Sequence, residues 1–161
     1  MSSRPLVIRP YAPDDLDATI GIFLRAIRET ASVDYTLAQV NAWAQADRES
    51  WTKRRRGRAT WVALVNNTPA GFAELEPDGH IDMMFVHPSF GGTGVAGALL
   101  ETIEQAAMRQ GSLRLFTEAS ITARGFFERR GFRTIAAQRI PCRGETLTNF
   151  RMEKLIQAAG R

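Results

Sequence analysis

The chain has 161 residues, 44% of them hydrophobic and 24% charged, with a formal net charge of +4. One core suits that length, so a single domain over residues 1–161 is expected, and the composition excludes a disordered chain. No apolar stretch approaches the ~18 residues of a membrane span, and one cysteine with two histidines (Cys142, His80, His87) excludes an internal disulfide and a zinc cluster, so a cytoplasmic protein without membrane or metal is expected.

Leu6–Arg9 reads as a short strand stopped by Pro10, and Pro13-Asp14-Asp15 opens a helix with acids in its first turn. Leu16, Ile20, Phe23, Leu24 and Ile27 then recur at helical spacing and form one buried face. Thr36 is the expected N-cap of a second helix carrying Val40, Trp43 and Ala44. Residues 46–58 are too polar to assign. Within them Lys53-Arg54-Arg55-Arg56-Gly57-Arg58 is the densest basic run, read as a solvated loop because no stacking aromatics accompany it, so nucleic acid is not an expected partner.

Three antiparallel strands follow at residues 60–65, 71–76 and 81–86, the last two joined across the hairpin signal Asp78-Gly79. Leu99, Leu100, Ile103, Ala107 and Met108 mark a long helix capped near Gly111. A strand over 113–117, a helix over about 122–130 ending at Gly131, and two strands around Arg143-Gly144-Glu145 complete the chain. The expected fold is α/β of the α+β type: a mixed, mostly antiparallel sheet of about seven strands with helices on both faces.

The chemistry concentrates where the third strand of that meander runs through His87-Pro88 into Gly91-Gly92-Thr93-Gly94-Val95-Ala96-Gly97 and then a helix. Glycines let the main chain approach a ligand, and the N–H groups of a helix start favour an anion. Gly92-x-Gly94-x-x-Gly97 also fits a dinucleotide fingerprint. Against that reading, a spacer containing Pro88 separates strand from glycines, an antiparallel hairpin precedes them, and too little chain follows Glu118 for the remaining parallel strands. A P-loop lacks its Lys-Ser or Lys-Thr pair.

Val86-His87-Pro88-Ser89-Phe90-Gly91-Gly92-Thr93-Gly94-Val95-Ala96 resembles the acetyl-coenzyme A motif of the GNAT superfamily of N-acetyltransferases: Val-x-Pro, then Gln or Arg, x, x, Gly, x, Gly or Ala. Ala123-x-x-Phe126-Phe127-Glu128-x-x-Gly131-Phe132 is similar to that family's helix ending in Gly-Phe. The resemblance implies acetyl-coenzyme A as co-substrate and a primary amine on a small molecule or peptide as acceptor. It also implies main-chain pairing of Met84, Phe85 and Val86 with the pantetheine arm, and a pyrophosphate held by Gly91, Gly92, Thr93, Gly94, Val95, Ala96 and Gly97. Gly91 replaces the usual Gln or Arg, Phe127 a tyrosine that protonates the leaving thiolate, and Ser120 a frequent asparagine, so Ser120 becomes the substitute donor beside the cofactor.

For the base, strand alternation puts His80, Asp82, Met84 and Val86 on one face leading toward the cofactor. Asp82 is the first choice as base or ammonium anchor, with His80 and Glu74 behind it; an acid satisfied by a nearby arginine is an equal alternative. Glu76 reads as a solvated hairpin residue. By the family resemblance Asp34, Tyr35 and Trp43 are candidates for contacting the acceptor, with Cys142 and Asn149 on the far side, although packing is the commoner role of such aromatics. Two alternatives stay open: a coenzyme A-binding module without transferase chemistry and a basic nucleic-acid-binding domain. Oligomeric state is open, a homodimer included.

Overall fold

A computed structural model describes residues 5–157. In chain order the elements are β1 (Leu6–Pro10), α1 (Leu16–Arg25), α2 (Leu37–Trp43), α3 (Arg48–Arg55), β2 (Ala59–Val65), β3 (Thr68–Leu75) and β4 (Ile81–Val86), followed by α4 (Val95–Arg109), β5 (Arg114–Ser120), α5 (Ile121–Arg129), β6 (Arg133–Cys142) and β7 (Glu145–Leu155). No helix among the described residues is long and apolar enough to cross a membrane.

Local chemistry accounts for most boundaries. Thr36 and Gln39 form a reciprocal capping box at α2, with bonds of 3.1 and 2.8 Å. Gly111 has φ of +83° just beyond α4 and lets Ser112 N–H reach the Ala107 carbonyl at 2.9 Å. Pro10 extends β1 by a residue beyond expectation, paired with Trp61 on an edge strand where its missing N–H costs nothing. The unassigned stretch contains α3: Asp47 caps it, and its buried residues are Trp51 and Arg55, one turn apart.

The seven expected strands form two antiparallel sheets, β1-β2-β3-β4 and β5-β7-β6, rather than one. The sheets meet where β4 and β5 begin, through a parallel bridge between His80 and Phe116 and a 2.9 Å bond from Thr117 Oγ1 to the Ile81 carbonyl. Gly79 permits this approach: φ is +94°, and a Cβ there would lie 2.3 Å from the Arg114 carbonyl oxygen.

Helices cover both faces. On one, α4 packs Leu99 and Ile103 against Ala63, Leu75, Ile81 and Leu115; on the other, Ile22, Phe23, Ile27 and Trp51 pack around Phe72. Opposite Glu74 and Leu75 the pairing of β4 shifts by one residue around Asp82. Consequently Ile81 and Met84, an odd distance apart, pack into the same core, while Met83 and Phe85 face the other. This bulge corrects the expectation that His80 and Asp82 share a face with Met84 and Val86.

Candidate functional site

Between β4 and α4 a helical turn, Pro88–Phe90, leads into the glycines. Gly92 and Gly94 have φ of +73° and +88°, a region that side chains other than glycine's disfavour. The first helical bond of α4 runs from Ala98 N–H to the Gly94 carbonyl at 3.0 Å, so the N–H groups of Gly94, Val95, Ala96 and Gly97 are the open donors of the helix end. A diphosphate fits this donor set. Two glycines behave differently from the rest. Gly91 has ordinary φ and ψ of −61° and 141° with room for a side chain. Gly97 is buried against Arg130, whose Nη2 would lie 2.6 Å from an added Cβ, so its bareness leaves room for that guanidinium.

From this turn a groove of about 220 Å³ runs along Met84, Phe85 and Val86, past Ala96 on α4 and Ala123, Phe126 and Phe127 on α5. It ends at Trp43 and Ser120. A second cavity of about 300 Å³ lies beyond, walled by Phe23, Tyr35, Trp43, Met83, Phe85 and Leu147, with Asp82, Glu118, Ser120, Cys142 and Asn149 also on its surface. Trp43, Phe85 and Ser120 belong to both. Ser120 caps α5, accepting the Ala123 N–H at 3.0 Å, which leaves its hydroxyl hydrogen to donate elsewhere. The Asn149 Oδ1 is buried without a hydrogen-bond partner among the described residues.

The aromatic candidates divide. Tyr35 is buried and strut-like, donating to the Thr148 carbonyl at 2.6 Å and accepting from Ile121 N–H at 2.9 Å, with its ring edge-on to Trp43. Asp34 touches neither cavity: it is exposed and accepts from Thr122 Oγ1 at 2.8 Å. Phe127 is packed edge-to-face on Phe126 and Phe132, at 5.3 and 5.1 Å, and has no acidic proton to donate.

The basic run is not a solvated loop. Arg54 and Arg55 project from α3, and with Arg58 they enter a charge network on β3 and β4. Glu74 is completely buried and bonded to Arg55 and, at 2.9 Å, to Arg58; burial raises its pKa against the pull of the arginines. It lines neither cavity, so no acceptor reaches it. Asp82 is bonded to Arg54 and Arg58. Burial pushes its pKa up, but Arg54, Glu74, Arg58 and His80 together outweigh that and hold the carboxyl below its ordinary range, which makes it a poor base.

His80 stacks on Phe116 with centroids 4.9 Å apart, its Nδ1 2.6 Å from Glu76 and its Nε2 2.8 Å from Glu118. The hydrogen bond to Glu118 leads in raising its pKa to about 9, so the ring is an imidazolium at neutral pH, not a base. Glu76 is therefore engaged rather than solvated. The four carboxylates (Glu74, Glu76, Asp82, Glu118) thus face four cations, the three arginines and His80. Glu76, His80 and Asp82 bring donor atoms within 4.8 Å of one another, but two guanidiniums on Asp82 and a carboxylate on each imidazole nitrogen make this cluster an ion-pair network.

The family described as "Acetyltransferase (GNAT) domain" matches residues 31–155. The uncharacterised N-acetyltransferase YafP of Escherichia coli (strain K12) is 42% identical over 145 residues, covering 90% of this chain and 93% of that protein. A GCN5-related N-acetyltransferase (Aminotransferase, Class-II) from Rhodopseudomonas palustris superposes with a TM-score of 0.89 at 37% identity, over 97% of this chain and 98% of that one. The PaiA N-acetyltransferase of Thermoplasma acidophilum, solved in complex with coenzyme A, shares the fold at a TM-score of 0.73 and 19% identity, over 94% and 99% of the two chains. Motif, topology and relatives agree: the chain belongs to the GNAT family of N-acetyltransferases, and is an acyltransferase.

Proposed function

We propose that residues 1–161 form one domain that transfers the acetyl group of acetyl-coenzyme A directly to the primary amine of a small molecule with an apolar body. The observation that carries this is the shared wall: the groove leading from the open helix N–H groups and the aromatic cavity have Trp43, Phe85 and Ser120 in common. The co-substrate supplies an acetyl thioester, whose carbonyl is open to attack by an amine.

In this reading the donors from Gly94 to Gly97 hold the diphosphate, and the main chain of Met84, Phe85 and Val86 pairs with the amide-bearing arm. Thr93 steadies the turn through its hydroxyl bond to the Phe90 carbonyl. At the junction the Ser120 hydroxyl donates to the departing sulfur, which needs modest help because a thiol pKa lies near ~8.5. The acceptor cavity, about 300 Å³, matches a small ligand. Its walls carry carboxylates but no lysine or arginine, which favours a cation over an amino acid's carboxylate. The buried Asn149 Oδ1 is an acceptor suited to an amine N–H.

Calorimetry with acetyl-coenzyme A, followed by thiol-release assays over benzylamine, n-hexylamine, 2-phenylethylamine and short peptides, tests the proposal. Micromolar binding and turnover of apolar monoamines above peptides are expected. Absence of binding at millimolar acetyl-coenzyme A overturns the reading, and binding with no turnover favours a coenzyme A-binding module.

A further inference from the structure

We propose that Glu118 takes the proton from the acceptor's ammonium group, acting from its place between the acceptor cavity and another cavity lined by β5, β6 and β7. This assignment rests on the acetyl-transfer reading above.

An ammonium ion cannot attack a thioester until it loses a proton, so the site needs a proton acceptor that the substrate can reach. Four carboxylates lie near the start of β4, and geometry separates them. Glu74 is fully buried under arginines. Glu76 lines no part of the acceptor cavity. Asp82 reaches the cavity but is bound by two guanidiniums. Glu118 reaches it without an arginine partner; its Oε1 meets His80 Nε2 at 2.8 Å, and Oε2 has no hydrogen-bond partner among the described residues.

Strand geometry then aims it. On β5, Thr117 and Ala119 point into the core, so Glu118 and Ser120 share the opposite face, two residues apart. Ser120 is on the wall common to both cavities, so Glu118 stands one pleat from the junction. Glu118 also lines a third cavity with Arg114, Arg133 and Arg151, and it alone belongs to both that cavity and the acceptor cavity. The Glu118 side chain is 38% exposed, so a proton it collects can pass to solvent.

The balance is simple. The N–H bond of the ammonium breaks and its proton bonds to Glu118 Oε2; the nitrogen lone pair then forms the C–N bond as the thioester C–S bond breaks. The acylated nitrogen sheds its surplus proton to the departing thiolate, which the Ser120 hydroxyl stabilises by a hydrogen bond, giving coenzyme A thiol and the amide, and Glu118 releases its own proton to solvent. The charges facing Glu118 are His80 and Asp82 from β4, Arg151 opposite it on β7, and Arg114, Arg133 and Glu153 around the third cavity.

Wild type, Glu118→Gln, Glu118→Asp and Asp82→Asn are compared with acetyl-coenzyme A and the amines of the panel between pH 6.5 and 10.5. Glu118→Gln is expected to bind acetyl-coenzyme A within twofold of wild type and to lose roughly 10²-fold in kcat/KM at pH 7. That deficit shrinks as pH passes the amine's own pKa, where the amine arrives neutral, and Glu118→Asp recovers part of the rate. A deficit equal at every pH, or one accompanied by lost acetyl-coenzyme A affinity, marks a structural role and overturns the assignment. So does unimpaired turnover, or a pH-confined deficit in Asp82→Asn instead. If wild type binds acetyl-coenzyme A and acetylates no amine, the acetyl-transfer reading itself fails and Glu118's role falls with it.

Discussion

Replacing His80 by glutamine tests the charge network at its imidazolium. In the folded protein its pKa rises from an ordinary 6.5 to about 9, first through the Glu118 hydrogen bond and then through Glu76. A raised folded-state pKa means stabilisation that is complete below about pH 6.5 and lost as pH rises through about 9. At ~1.36 kcal/mol per pKa unit, the linkage gives about 2.5 kcal/mol at pH 7 and about 0.4 kcal/mol at pH 9. The imidazole is only 16% exposed, so solvent screening takes a modest part of this. Urea denaturation of wild type and His80→Gln at pH 6, 7, 8, 9 and 10 reads the effect directly. Wild type should lose about 2 kcal/mol more than the variant between pH 7 and 9, and the two should converge by pH 10. Parallel curves across that range would refute the assignment of His80 as a structural cation.

Three further outcomes are expected. Arg55→Ala strips the buried partner of Glu74 and the guanidinium lying 4.7 Å over Trp51, and should cost about 3–5 kcal/mol in urea denaturation. Gly91→Arg fits an ordinary backbone conformation with only the Pro88 carbonyl at 3.6 Å from its Cβ. Calorimetry should show acetyl-coenzyme A bound about 2–5-fold more tightly at low salt, the gain fading at high salt, with melting unchanged. Ser120→Ala should lose about 1 kcal/mol of stability with its cap, and a larger share of kcat than of acetyl-coenzyme A affinity. Ser120→Asn, which can still cap, should melt like wild type.

Much of the fold was legible because its signals are local. The hairpin at Asp78-Gly79, the N-cap at Thr36 and the glycines closing α4 and α5 each follow from neighbouring residues, and the turn before α4 stood out because glycines cluster where a strand passes into a helix. The failures share another origin. Helix α3 hid because its inward face is Trp51 and Arg55, and a buried arginine whose guanidinium lies over the Trp51 and Phe72 rings does not register as apolar in sequence. The bulge at Asp82 depends on how β3 pairs with β4, so alternation read along one strand misassigned the face. Asp82 and Glu74 drew attention as acids among apolar residues, but the arginines that satisfy them are 16 to 28 residues away in sequence. Glu118 entered the sequence reading only with the discounted dinucleotide fingerprint; its significance comes from the two cavities that it lines.

Tyr35 has a mechanical consequence beyond its place in the wall. Its one phenol oxygen is bonded both to Thr148 on β7 and to the first N–H of α5, so the strand lining the acceptor side and the helix lining the donor side are tied at a single atom. If that tie couples the two sides, the coupling is reciprocal: an amine that tightens acetyl-coenzyme A on binding must itself be tightened by acetyl-coenzyme A by the same factor. Tyr35→Phe removes the shared oxygen and keeps the ring in the cavity wall, so it should weaken any such coupling.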